Sequence, residues 1–415
     1  MDVPCAPRCQ VASVNSIDGQ VCGGLVDAAH PESRSRVVRS LVAAVVTPSP
    51  RAFLMGVCGT FVLGVLVLFA FSVYVNPWGD FGKTGFHRLY NARLAKADYI
   101  DGLAPAELPE IVVMGSSNTM RFRPATISRL MGKSAFNFGV FWGRAEDFRC
   151  ITHHFVDDLQ HKPKLVIVGI DTWSFAPAMN EHPVFPGIRR RLLNAPQLSQ
   201  HLPGVGWTKR AWANFIDSLS GQQLALSWKL FWDDRHERTE APRLASSEWF
   251  ETDGTRVRYF WEGNEVFEAV ETGAYSITED IRRSIRESSQ SSVRFVDQFP
   301  MYNFDRMDQT KIDYMVETLD VCQRESIQVV FVINPVHPLL YQQLIAHTRH
   351  PQHLEELKTM LIQFRRDYSV VSGIIDASDI TTLGGDPDGF FDPMHPATRN
   401  CDLILERVAA EVHLN

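Results

Sequence analysis

Residues 110–122 read EIVVMGSSNTMRF. Four apolar residues run into Gly115, and two serines follow at once. A short apolar run closed by a turn residue is the signature of a strand buried on both faces. Glycine and serine end strands routinely. A serine at a strand tip can also be a nucleophile, so the rest of the chain has to decide between turn and chemistry.

The same grammar repeats downstream. SAFNFG (134–139), KLVIVGID (164–171), IQVVFVIN (327–334) and VVSGIID (370–376) read as further strands. Between them, ATISRLM (125–131), RAEDFRCITHHFVDDLQ (144–160), QTKIDYMVETLDVCQRE (309–325) and HLEELKTMLIQFRRDY (353–368) carry helical periodicity. ATRNCDLILERVAAEV (397–412) closes as a helix. Strands alternating with helices predict an α/β fold, with about five parallel strands between two helical layers. In such sheets the chemistry gathers at the carboxyl ends of the strands.

Between 174 and about 300 the alternation stops. This stretch holds Trp207, Trp212, Trp228, Trp232, Trp249 and Trp261, and SSEWFETDGTRVRYFW predicts a hairpin turning at Asp253-Gly254. It reads as a Trp-rich subdomain inserted into the α/β domain. Core packing is the default for its tryptophans. Stacking on sugar rings and contact with a membrane interface, the latter suggested by LALSWKLFW (224–232), are the sharper readings.

One segment stands apart. From Ala52 to Val75 the chain carries no charged residue over 24 positions, enough to cross a hydrocarbon core of roughly 30 Å as a helix. It is too long for a signal-peptide apolar region, and no small-residue cleavage pattern follows. Arg34, Arg36, Arg39 and Arg51 precede it, and fewer positive charges follow closely. The expected organisation is a disordered cytoplasmic tail (1–51), a membrane helix (52–75), a connector (76–109) and an extracytoplasmic domain (110–415). In a Gram-negative bacterium that domain lies in the periplasm, on the inner membrane.

The chain has 415 residues, 45% of them hydrophobic, and a net charge of -7. No basic block suggests nucleic acid as a partner. Cys150, Cys322 and Cys401 are an odd number beyond the span and imply no disulfide framework. GDFGKT (79–84) lacks the first glycine and the preceding strand of a phosphate loop. His153, His154, Asp157 and Asp158 fall at helical spacing; a metal site is one reading, a solvated helix face with at most one buried histidine the expected one. His337, after the fourth strand, reads as a turn residue before a substrate contact, and Arg189–Arg191 as a solvated run.

A serine nucleophile needs a base, usually a histidine oriented by a carboxylate. GFFDPMHPATRN (389–400) supplies Asp392 and His395 just before the last helix. A carboxylate three residues before a histidine can turn back onto its ring and leave the other nitrogen free for Ser117. The nucleophile-elbow pattern Gly-x-Ser-x-Gly is excluded, because Thr119 follows Asn118.

With GSSN and DPMH in place, the chain resembles the SGNH, or GDSL-like, hydrolase superfamily. More narrowly it is similar to membrane-anchored bacterial members that act in teichoic-acid alanylation and exopolysaccharide acetylation. The resemblance covers residues 110–173 and 310–412 and implies a flavodoxin-like three-layer sandwich. Matched block by block, it makes Ser117 the nucleophile and Asp392 and His395 its partners. The oxyanion donors are then the N–H groups of Ser117 and of Gly143, with Gly139 as the alternative. Asn118, Arg121 and Asp171 are the expected substrate-side residues. Asp171 stands where the family has asparagine; a carboxylate cannot donate, and losing one oxyanion donor costs roughly 100- to 1000-fold in rate. Arg121, Arg123 or backbone donors at the strand end are expected to pair with it. The implied activity is serine esterase or O-acyltransferase, without metal or organic cofactor, on an acylated or acyl-accepting envelope polymer. The membrane and a membrane-bound acyltransferase are the other expected partners. An inactive scaffold for polymer assembly or export is the alternative.

Overall fold

The computed structural model describes residues 49–77, 91–177, 192–204, 206–233, 251–255, 287 and 301–412. Nearly all of the expected N-terminal tail, most of the expected insertion and the flanks of its hairpin lie outside them. The chain divides into two compact units, Met1–Leu63 and Gly64–Asn415; the sheet and everything packed on it belong to the second.

Helix α1 (Pro50–Val75) is long and apolar enough to cross a membrane. Helix α2 (Ala92–Asp101) follows, and then the sheet begins. Its strands are β1 (Ile111–Met114), β2 (Ala135–Asn137), β3 (Leu165–Ile170), β4 (Gln328–Ile333) and β5 (Val371–Asp376). They lie in the order β2-β1-β3-β4-β5, all parallel. This is the flavodoxin-like order, whose switch point falls between β1 and β3.

Alternation of side chains builds the three layers. Val112, Met114, Val166, Val168, Val329 and Phe331 face one side, where α2, α4 (Ala145–His153), α8 (Gln309–Glu325) and α10 (His350–Asp367) pack. Ile111, Val113, Leu165, Ile167, Val330 and Val332 face the other, against α3 (Pro124–Met131) and α11 (Thr398–Glu411). Burial on both faces explains why β1, β3 and β4 read as unbroken apolar runs. β5, at one edge, alternates between buried and half-buried residues.

The opposite edge, β2, is covered. The turn at Asp253-Gly254 reaches it, and the Asn137 N–H donates to the Asp253 carbonyl at 2.9 Å. Lys96 of α2, fully buried, donates from Nζ to the carbonyls of Asn137, Gly139 and Gly254, each at 2.8 Å. One ammonium thus ties helix, strand and turn together. Beside it Arg93 forms a buried two-pronged ion pair with Asp147 at 2.6 and 2.9 Å. Breaking such a pair costs about 3–5 kcal/mol.

From the insertion region come α5 (Pro196–Ser199), α6 (Trp207–Ser218) and α7 (Gly221–Asp233). Rings of α6 and α7 meet the end of α1: Phe69 lies 5.1 Å from Phe215, and Phe71 lies 5.6 Å from Phe231 and 6.1 Å from Trp228. Trp212, Trp228 and Trp232 are exposed, so the core reading fails for them. Trp249 and Trp261 lie outside the described residues. Among the described helices, α2, α5, α6 and α9 (Pro338–His347) were not expected.

Candidate functional site

β1 delivers the GSSN turn to the carboxyl edge of the sheet. Gly115 leaves the strand with φ +157°, and a side chain there would collide with Thr119. The turn is wound inward on Ser116: its carbonyl accepts from the Thr119 N–H at 3.1 Å and the Thr119 hydroxyl at 2.8 Å. The Ser116 hydroxyl accepts from the Asn118 N–H at 3.2 Å, and the residue is fully buried. Ser117 is half-buried and points the other way.

The loop before α11 meets it there. His395 Nε2 lies 2.8 Å from Ser117 Oγ, and His395 Nδ1 lies 2.6 Å from Asp392 Oδ2. The other Asp392 oxygen accepts from the N–H groups of Met394 at 2.7 Å and His395 at 2.9 Å. Burial pushes the Asp392 carboxyl up, but the charge and hydrogen bond of His395 and these two N–H groups outweigh it. Its pKa is held below the usual carboxylate range. Asp392 is therefore ionised and orients the His395 ring.

Several residues hold the two loops in register. Phe391 N–H donates to the His395 carbonyl at 2.9 Å, and the Asn400 amide of α11 donates to the carbonyls of Asp386 and Gly389, each at 2.9 Å. His337 caps α9 by accepting from the Leu339 N–H at 3.1 Å, while its own N–H donates to the Pro393 carbonyl at 2.9 Å. Burial pulls the His337 pKa down to about 4; it is a neutral cap, as a turn residue should be. Asn137 was missed as a site residue. Its amide donates to the carbonyls of Thr119 and Phe122, each at 2.9 Å, and so fixes the far side of the turn that carries Ser117.

Gly143 sits close behind. A side chain on it would lie 2.1 Å from the Gly115 carbonyl oxygen, so only glycine lets this loop reach the strand tip. Its N–H donates to the Val140 carbonyl at 3.0 Å, closing a turn. The alternative, Gly139, donates its N–H to the Asn137 side chain at 2.8 Å. In this conformation both candidate donors are engaged within the protein, whereas no acceptor among the described residues takes the Ser117 N–H. Trp142, just before Gly143, has φ +56°, a strained value for an aromatic residue. Its ring packs 5.1 Å from Trp173.

The substrate-side expectations fare differently. Arg121 is buried, donates to Thr398 Oγ1 at 3.0 Å and lies over the Phe391 ring at 5.2 Å. It braces the His395 loop and does not pair with Asp171. Arg123 pairs with Asp402 of α11. The expected arginine partner of Asp171 is thus corrected: both arginines turn toward α11. Asp171, buried at the tip of β3, instead accepts from Asn118 Nδ2 at 2.6 Å. Its Oδ2 has no hydrogen-bond partner among the described residues. Burial raises its pKa, and the neighbouring Ser116, Asn118, Asn334 and His395 oppose that without cancelling it. Asn334, at the tip of β4, is a second buried amide missed in the sequence.

Across the α4 end, His154 is buried beside Asp101, Asp158 and His201, the one buried histidine that the helix-face reading allows. Comparisons with protein-family models and with curated protein sequences returned no match.

Proposed function

We propose that this protein is a membrane-tethered, extracytoplasmic serine esterase or O-acyltransferase acting on an acylated or acyl-accepting envelope polymer. The observation that carries the reading is the Ser117–His395–Asp392 relay, with contacts of 2.8 and 2.6 Å at the carboxyl edge of the sheet. Ser117 Oγ attacks the acyl carbonyl as its proton passes to His395 Nε2. The leaving alcohol takes that proton, and an acyl-serine remains. His395 then deprotonates the acceptor, water or a sugar hydroxyl, which attacks the acyl-serine and restores the serine. Asp392 supports the imidazolium at each step. The Ser117 N–H is aimed at the developing oxyanion, and a second donor comes from the Asn118 amide or from opening of the Gly143 turn.

The apolar helix α1 supports tethering to a bacterial inner membrane, and the arginines before it support an external domain. A membrane-bound acyltransferase would fit as acyl donor. A second reading is favoured by one observation. The Gly143 N–H is engaged and Asp171 replaces a donor, as expected of a catalytically weak scaffold for polymer assembly or export.

A chromogenic acyl ester separates the readings. The purified full chain should release the chromophore, and Ser117→Ala should lower the rate by about 1000-fold or more. Adding an oligosaccharide acceptor should accelerate release and yield the acylated sugar if the protein is a transferase. A folded wild type with no more activity than Ser117→Ala supports the scaffold.

A further inference from the structure

Three histidines and three aspartates gather at the far end of α4, away from Ser117. α4 begins next to Gly143 at the carboxyl edge and runs back across the sheet, and its last turn continues as a π-helix, His154–Asp158. Such turns often mark functional sites. His154 Nδ1 lies 2.9 Å from Asp158 Oδ2, and His201 Nε2, just beyond α5, lies 2.8 Å from the same oxygen. The ligand atoms of His154, Asp158 and His201 all fall within 4.8 Å of one another. That is the spacing of donors around one small cation, since bonds of about 2.0–2.2 Å set neighbouring ligands about 3.3 Å apart.

A second feature is independent of the first. The other nitrogen of His154, Nε2, lies 2.9 Å from Asp101 Oδ1 at the end of α2, at ion-pair distance but without the alignment of a hydrogen bond in this conformation. A histidine ligand characteristically gives its second ring N–H to a carboxylate, which fixes the tautomer and points the bare nitrogen at the metal. His154 is 2% exposed, so packing keeps the ring beside the Asp101 carboxylate. His153 and Asp157, 2.6 Å apart, flank the site on its open side, and the His153 ring stacks on His201.

We propose that His154, Asp158 and His201 form a binding site for a divalent cation of the zinc class, with Asp101 orienting His154. Two imidazoles and one carboxylate suit zinc, cobalt or nickel; calcium and magnesium prefer all-oxygen shells. Three protein ligands leave a position for water or Asp157. The cation joins the end of α4 to the segment carrying α5 and fastens that segment to the sheet domain. It lies at the end of α4 opposite the one beside Gly143 and the Ser117 turn.

Cobalt(II) is the probe, because its visible spectrum reports the donor set. The full chain would carry no polyhistidine tag, and Cys5, Cys9 and Cys22 would be replaced by serine to remove competing thiols. One equivalent of cobalt should bind, with a nitrogen/oxygen spectrum that zinc abolishes, and should raise the thermal midpoint. His201→Gln and Asp158→Asn should each weaken binding at least about tenfold. Asp101→Asn, which touches no metal, should weaken it about 10- to 100-fold. His153→Gln should change it little. Circular dichroism of each variant confirms the fold before titration. Absence of saturable binding at micromolar cobalt would overturn the proposal. So would a folded His201→Gln or Asp101→Asn that binds cobalt as wild type does.

Discussion

At the scale of the residue, two adjacent serines have opposite roles because the turn is wound on one of them. Ser116 is fully buried and accepts from its own turn, while Ser117 reaches His395. Asp171 is the other decisive residue. Its folded-state pKa is raised by burial, so the folded protein holds that proton more tightly than the unfolded chain. The stability linked to this group is present below the unfolded pKa of about 3.9 and is lost as pH rises through the folded value. Above that folded value the wild type bears a buried charge that Asp171→Asn lacks. The variant keeps an oxygen to accept from Asn118 and places its amide where Oδ2 has no partner. Denaturant unfolding should find Asp171→Asn more stable than wild type at pH 8, with the gain shrinking toward pH 4. The amide also restores a donor near the oxyanion, so esterase activity should rise. A variant less stable at pH 8 would show that the carboxylate is needed where it stands.

At the scale of the element, the strands were legible because two-sided burial writes continuous apolar runs, and the helices because α8 and α11 keep one apolar stripe. The Asp392-His395 spacing was legible too, since a contact over three residues is nearly local. What sequence spacing could not give was direction. Arg121 and Arg123 follow Ser117 closely, yet the turn carries them toward α11 and away from β3. Asn137 and Asn334 carry no motif, because an amide that binds carbonyls looks like any other asparagine. α9 did leave a signal, a histidine cap followed by Pro338 at the first helical position. Lys96 belongs to this scale as well. Lys96→Met would leave three buried carbonyls without their donor, at about 1–3 kcal/mol each for groups that find no water. The expected result is a loss of several kcal/mol overall and faster amide exchange at 251–255, read by hydrogen-exchange mass spectrometry. Unchanged exchange there would show that the turn is held by other contacts.

At the scale of the whole molecule, one long apolar helix among the described residues precedes an α/β domain whose candidate site lies at the carboxyl edge of the sheet. The arginine-rich flank before the helix predicts an external domain. A reporter active only outside the cytoplasm, fused after Asn415, should be active; an inactive fusion of intact protein would remove the envelope substrate from consideration. The nucleophile itself is tested most directly by treating the purified full chain with a fluorophosphonate and mapping the adduct by mass spectrometry. One phosphonyl group should appear on Ser117 in wild type and in Ser116→Ala, and none in Ser117→Ala, with labelling slowed strongly in His395→Ala. A folded protein that never labels, or an adduct on Ser116, would contradict the assignment of Ser117 as the activated serine.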